Sequence, residues 1–118
     1  MAKVTIYHNP SCGTSRSVLA MLNEGGHEPE VIEYLKEPPT REKLKELVRK
    51  MGVPLRHILR EKGTPYEELN LGDPSLTDEQ LLDAIEKHPI LMNRPIVVTP
   101  LGARLCRPSE TVREILPK

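Results

Sequence analysis

The chain has 118 residues, 37% of them hydrophobic and 29% charged, with 17 basic residues balanced by 17 acidic ones. That length suits one domain with a real core, and with three tyrosines, no Trp and no Phe the core must be aliphatic. Zero net charge excludes a global electrostatic footprint for nucleic acid or an anionic membrane, so an anion site has to be a local cluster, and the apolar content argues against intrinsic disorder.

Val4, Ile6 and Tyr7 predict a first strand, and His8-Asn9-Pro10-Ser11 is turn chemistry. Val18, Leu19, Met21 and Leu22 then follow a helical spacing that Gly25-Gly26 ends. Cys12 therefore falls at a strand-to-helix junction. Val31, Ile32 and Tyr34 predict a second strand, stopped by Pro38-Pro39. Thr40 is an N-cap for a helix carrying Leu44, Leu47, Val48 and Met51, closed by Gly52. Leu55, Ile58 and Leu59 suggest a shorter helix after Pro54. Thr77 to Gln80 matches a capping box ahead of Leu81, Leu82 and Ile85, and Pro89 stops that helix. Ile96, Val97 and Val98 predict a buried strand, Thr99-Pro100-Leu101-Gly102 a turn, and Ala103, Leu105 and Cys106 the return strand of a hairpin. Pro108-Ser109-Glu110 opens a last helix with Val112, Ile115 and Leu116 on one face.

The order is β-α-β, a helical block, then β-β-α. A βαβ unit followed by a ββα unit is the thioredoxin-like arrangement. The expectation is a single α/β domain over 1–118, with a helical insertion at about 40–88 between its halves and no linker long enough for a boundary.

Two cysteines, Cys12 and Cys106, do not make a disulfide scaffold. The opening residues are too short and mixed a run for a signal peptide, and no stretch approaches the ~18 apolar residues of a membrane span. A soluble cytoplasmic protein with reduced thiols is expected, which makes each cysteine a possible reagent. Cys12 sits in Asn9-Pro10-Ser11-Cys12-Gly13-Thr14-Ser15-Arg16, without an apolar neighbour. Free amides at a helix start stabilise an anion, and cysteines placed there have pKa values lowered to roughly 3.5–7.5. The bland alternative is a small buried hydrophobe, which this polar setting disfavours.

Cys12-Gly13-Thr14-Ser15 has the Cys-x-x-Cys spacing with an oxygen in place of the second sulfur. Ser15 cannot resolve an adduct on Cys12. It can donate a hydrogen bond to the thiolate, satisfy backbone groups at the helix start, or do both. Any redox cycle then needs an outside thiol or Cys106. The Cys-x5-Arg loop of cysteine phosphatases is absent, since Arg16 comes four residues after Cys12 and position 18 is Val18. Clamps for an oxyanion must come from elsewhere, and Arg60, Arg94 and Arg107 each fall at an element end, with planar guanidinium forks suited to oxyanions. Most single arginines are solvated surface residues, so the three gain weight only together with a nucleophile that needs an anion site. His8 lies near Cys12 and is a candidate to tune its charge, although a lone histidine is more often structural. Cys106, beside Leu105, reads as packing. Cysteines far apart and scattered histidines make no zinc pattern.

The segments Ile6 to Arg16, His88 to Pro100 and Gly102 to Glu110 together resemble the signature blocks of the glutaredoxin-coupled arsenate reductases, in the same order and essentially end to end. The resemblance implies that the Cys12 thiolate attacks arsenate to form a covalent adduct, with Arg60, Arg94 and Arg107 matching the oxyanion-binding arginines. It implies resolution by glutathione and glutaredoxin, no tightly bound cofactor, no metal and no nucleic-acid partner, and a role in arsenic detoxification. Ser15, His8, Gly13 and Thr14 would support the site. In thioredoxin-like folds a cis-proline abuts the active cysteine, and Pro95 takes that position, while Pro10, Pro89, Pro100 and Pro108 read as ordinary turn or cap prolines. Longer members carry a C-terminal tail, so a tail function is expected to be missing from a chain ending at Lys118. Two other readings stay open. Redox-sensing transcription regulators of the same superfamily bind RNA polymerase, but switch through Cys-x-x-Cys. A general glutathione-linked thiol oxidoreductase would not need three arginines.

Overall fold

The computed structural model describes residues 3–116; the outermost positions of the expected 1–118 domain, 1–2 and 117–118, lie outside the described residues. The chain divides into two compact units, one made of Met1–Glu37 with Arg94–Lys118 and the other of Pro38–Asn93.

The first unit is built on a four-stranded sheet in the order β2-β1-β3-β4, with β1 at Thr5–His8, β2 at Glu30–Glu33, β3 at Ile96–Thr99 and β4 at Gly102–Leu105. β2 runs parallel to β1, and β3 antiparallel to both β1 and β4. A parallel pair needs a crossover, and the helix α1 (Gly13–Glu24) supplies it. β-α-β followed by β-β-helix is the thioredoxin-like arrangement expected from the hydrophobic pattern. Strand side chains alternate between faces. Ile6 and Val97 therefore join Val4, Val18, Leu22, Cys106, Val112 and Ile115 in one core between the sheet and its helices. Tyr7 and Ile96 lie on the opposite face and are buried as well.

Two elements of this unit differ from expectation. β2 ends at Glu33, before the prolines, because the Glu33 carbonyl accepts the Lys36 and Glu37 N–H groups in a turn. Tyr34 therefore leaves the strand, and it is fully buried. The last helix is a 3-10 segment, Ser109–Glu114, and not an α-helix. So short a piece is a poor α nucleus, and a threefold repeat brings Val112 and Ile115 onto one side, where both enter the core. The Thr99 hydroxyl reaches across to donate to the Ile115 carbonyl at 2.5 Å.

The second unit is helical. Thr40 accepts the Lys43 N–H at 3.1 Å and caps α2 (Arg41–Met51), which Gly52 closes in the left-handed region at φ 70°. Thr77 and Gln80 form a complete capping box at the start of α3 (Asp78–Lys87). Leu44 and Leu47 of α2 and Leu81, Leu82 and Ile85 of α3 are buried. Arg41 binds Glu79, Asp83 and Glu86, a surface network that adds little stability beside the buried leucines. The segment after Pro54 is a 3-10 turn, Leu55–Ile58. Arg60 does not end that turn but follows it in an extended stretch, where Leu59 bridges Met92 and the Arg60 N–H donates to the Leu91 carbonyl. Pro89 follows α3 and opens a 3-10 turn of its own, Pro89–Leu91.

Candidate active site

The loop between β1 and α1 is held by its own backbone. The Asn9 side chain accepts the Ser11 N–H at 2.9 Å, and the Asn9 carbonyl accepts the Cys12 N–H at 3.0 Å. Cys12 becomes the N-cap of α1, in extended conformation at φ −97° and ψ 121°, and its carbonyl receives the Arg16 N–H. An N-cap residue is ordinarily Ser, Thr, Asp or Asn, whose oxygen takes up the amides of the first turn. Here no side-chain oxygen caps α1 and no acidic residue sits in its first turn, so the dipole end of the helix is left to the sulfur.

Two arginines arrive from the hairpin. β3 and β4 pair Ile96 with Leu105 and Thr99 with Gly102. One step outward the Cys106 N–H donates to the Pro95 carbonyl at 2.9 Å. Arg94 and Arg107 stand just beyond that step, where the Arg107 N–H turns back to the Leu105 carbonyl at 3.0 Å. The Arg107 guanidinium donates to the Arg94 carbonyl at 2.9 Å and to the Cys12 sulfur at 3.5 Å. Burial pushes the Cys12 thiol up, but the Ser15 N–H and the Arg107 and Arg94 side chains hydrogen-bond it, and the Arg94 charge adds to them. The balance lowers its pKa from 9.0 to about 7. The site thus holds a substantial thiolate fraction at neutral pH, beside two guanidinium groups.

The supporting residues take roles that differ in part from expectation. Ser15 reaches the sulfur through its backbone N–H. Its hydroxyl instead lies 2.6 Å from His8 Nδ1 and accepts the Asn9 N–H at 3.0 Å. His8 therefore bears on Ser15, and burial lowers its own pKa despite the opposing charge of Glu33. Arg16 donates to the Pro10 carbonyl at 2.8 Å and braces the loop from outside. Gly13 and Thr14 form the first turn of α1 and, with Arg16, Ala20, Pro108 and Glu110, line an open cleft of about 720 Å³. The Arg94–Pro95 peptide is cis, as expected for Pro95. Arg107–Pro108 is cis too, although the sequence reads Pro108 as an ordinary cap proline.

Arg60 belongs to the second unit, half-buried, where its Nε donates to the Lys62 carbonyl at 3.1 Å and a terminal nitrogen lies 3.5 Å from Asn93 Oδ1. Cys106 is fully buried, packed in the core, and burial pushes its thiol up to about 12. Among the described residues no group of three or more His, Cys, Asp or Glu could hold a metal ion, and no helix is long and apolar enough to cross a membrane.

Two residues near the Cys12 loop were not singled out from the sequence. Asn9 shapes the Cys12 loop, and a signal for it was present, since Asn before Pro is a turn former. Tyr34 counted as a strand residue, and nothing local marks it otherwise.

The ArsC family matches residues 7–115 of this chain. An arsenate reductase of Rhizobium meliloti is 62% identical over 114 residues, covering 97% of this chain and 81% of the relative. One from Escherichia coli is 57% identical, covering 99% of this chain and 83% of the relative. Among solved structures, an arsenate reductase from Vibrio cholerae superposes with a TM-score of 0.92 at 48% identity, covering 97% of this chain and 98% of that one.

Proposed function

The chain belongs to the ArsC family, and from that membership we propose that it reduces arsenate to arsenite at Cys12, as part of arsenic detoxification. The observation that carries the reading is the single sulfur at a helix start, with its pKa near 7 and Arg107 at 3.5 Å.

Arsenate enters as an anion between Arg94 and Arg107, with Arg60 as a third oxyanion-binding group by its match to the family pattern. The Cys12 thiolate attacks arsenic, an arsenic–sulfur bond forms, and one oxygen leaves as water after taking up protons. Guanidinium groups stabilise the charge that develops on the remaining oxygens. Reduction of As(V) to As(III) needs two electrons, which two thiols supply as they become one disulfide. Ser15 carries no sulfur, and Cys106 is buried with its proton on. The glutathione thiolate therefore attacks the Cys12 sulfur of the adduct, a sulfur–sulfur bond forms, and the electron pair of the broken arsenic–sulfur bond stays on arsenic, which leaves as arsenite; glutaredoxin then takes the glutathione from Cys12 as a mixed disulfide and returns the Cys12 thiolate. The open cleft beside Gly13 and Thr14 gives an incoming thiol peptide a surface next to Cys12.

The test is arsenate-dependent NADPH oxidation by the purified protein with glutathione, glutaredoxin and glutathione reductase. The wild-type chain is expected to turn over, and Cys12→Ser to be inactive with an unchanged circular dichroism spectrum. Turnover in the folded serine variant would exclude the mechanism.

A further inference from the structure

We propose that Tyr34 is a further substrate-binding residue, its hydroxyl donating a hydrogen bond to an oxygen of the tetrahedral anion held at Cys12. The inference rests on the arsenate reading above and adds a neutral donor to its guanidinium groups.

The placement follows from sheet register. β2 pairs His8 with Glu33 in parallel, so one step further along Tyr34 comes beside Asn9, the residue that opens the Cys12 loop. The chain then turns away, with Lys36 and Glu37 donating back to Glu33. This keeps Tyr34 at the end of the sheet where β1 leads into the Cys12 loop and β3 begins. Ligands of open α/β sheets bind at that end of the parallel strands.

The side chain is 0% exposed, yet its hydroxyl has no hydrogen-bond partner of good geometry among the described residues. Buried tyrosines usually find a partner for the O–H, because leaving it unmade is costly. Phenylalanine would fill the same space without that cost. The groups that reach this hydroxyl are the Asn9 side chain, the Arg94 guanidinium and, through its charge, Cys12. Burial, the largest influence, keeps the phenol protonated, with its pKa above the ordinary 10.0. The O–H is therefore a donor. Arg94 only donates, so it offers that proton no acceptor. An oxyanion on Cys12, clamped by Arg94, brings oxygens into that neighbourhood.

The experiment compares wild type with Tyr34→Phe in three measurements. The first is iodoacetamide alkylation of Cys12 against pH with no oxyanion present, whose midpoint is expected to be the same in both. The second is protection of Cys12 from alkylation by arsenate, and by inorganic phosphate as a non-reducible analogue. The apparent dissociation constant is expected to rise about tenfold in the variant, the effect of losing one hydrogen bond to a charged acceptor, with KM for arsenate rising alongside. The third is thermal stability, which should be unchanged or slightly higher without the unpaired oxygen. Equal protection in the two proteins overturns the proposal. A shifted alkylation midpoint also overturns it, because Tyr34 would then act through the sulfur. A wild type that arsenate does not protect refutes the arsenate reading itself, which is a separate result. Should the variant not fold, wild-type protein with 13C at the tyrosine Cζ replaces it: arsenate must move the Tyr34 signal and leave Tyr66 in place, and a stationary Tyr34 signal overturns the proposal.

Discussion

Cys12 shows how a few donors outweigh burial. A buried thiol resists ionisation, yet this one titrates near 7 because a backbone amide and two guanidinium side chains meet it. Its alkylation rate is expected to rise through a midpoint near pH 7, about two units below the ordinary thiol. Arg107→Ala should move the midpoint upward and weaken oxyanion binding by about 1.5–3 kcal/mol, the worth of a charge-assisted hydrogen bond. An unmoved midpoint would show that this guanidinium does nothing for the sulfur. The same shift bears on stability. Between about 7 and 9.0 the folded protein has released a proton that the unfolded chain still holds, so stability gains with rising pH across that window. The contribution is present in full above 9.0 and lost as pH falls through 7. Subtracting the stability of Cys12→Ser, which has no thiol at that position, should leave that rise, measured by urea unfolding at several pH values.

At the scale of elements, the hairpin decides where the arginines go. A two-residue turn at Pro100-Leu101 pairs Thr99 with Gly102, and at the open end of the hairpin the Arg107 guanidinium donates to the Arg94 carbonyl at 2.9 Å. The hairpin was readable from the turn signal, as were α1, the Thr40 cap and the Thr77–Gln80 capping box, because each rests on local chemistry that tertiary contacts do not override. Where β2 stops was not readable. The apolar run continues to Tyr34, and only the hydrogen bonds that Lys36 and Glu37 make to Glu33 end it earlier. The role of Ser15 was half readable. Its place at the helix start was plain, but which of its groups faces the sulfur depends on His8 and Asn9 occupying the hydroxyl. The turn also sets a stability prediction. Thr99 Oγ1 donates to the Ile115 carbonyl and accepts the Leu101 N–H at 3.1 Å, tying the hairpin turn to the last 3-10 segment. Thr99→Val keeps the shape and removes both bonds. It should cost about 1–3 kcal/mol, measured as a lower urea midpoint with an unchanged denaturant slope; an unchanged midpoint would mean that water replaces the hydroxyl at no cost.

On the scale of the whole molecule, the two cysteines stand in opposite settings, and the proposed mechanism gives chemistry to one and packing to the other. Cys12 lies among polar loop residues and is ionised by them. Cys106 lies in the core with Ile6, Leu22 and Val97, its Sγ 3.6 Å from the Arg104 carbonyl, and burial holds its proton in place up to about pH 12. A chain with one usable thiolate has half of the electrons that As(V) reduction requires. On the proposed mechanism its cycle stops at a covalent adduct until a thiol arrives from outside. Incubated with arsenate alone, the protein is expected to retain arsenic at Cys12 without releasing arsenite, and to release it once glutathione and glutaredoxin are added. Cys106→Ala should keep turnover within about twofold and lose roughly 1 kcal/mol of stability, because it removes a buried sulfur and leaves a small cavity. Mass spectrometry of the intact protein reads the first outcome, and arsenite release under both conditions reads the second. Arsenite formed without an added thiol by the wild type but not by a folded Cys106→Ala would make the core cysteine the second electron donor, and the assignment of Cys106 to packing would then fail.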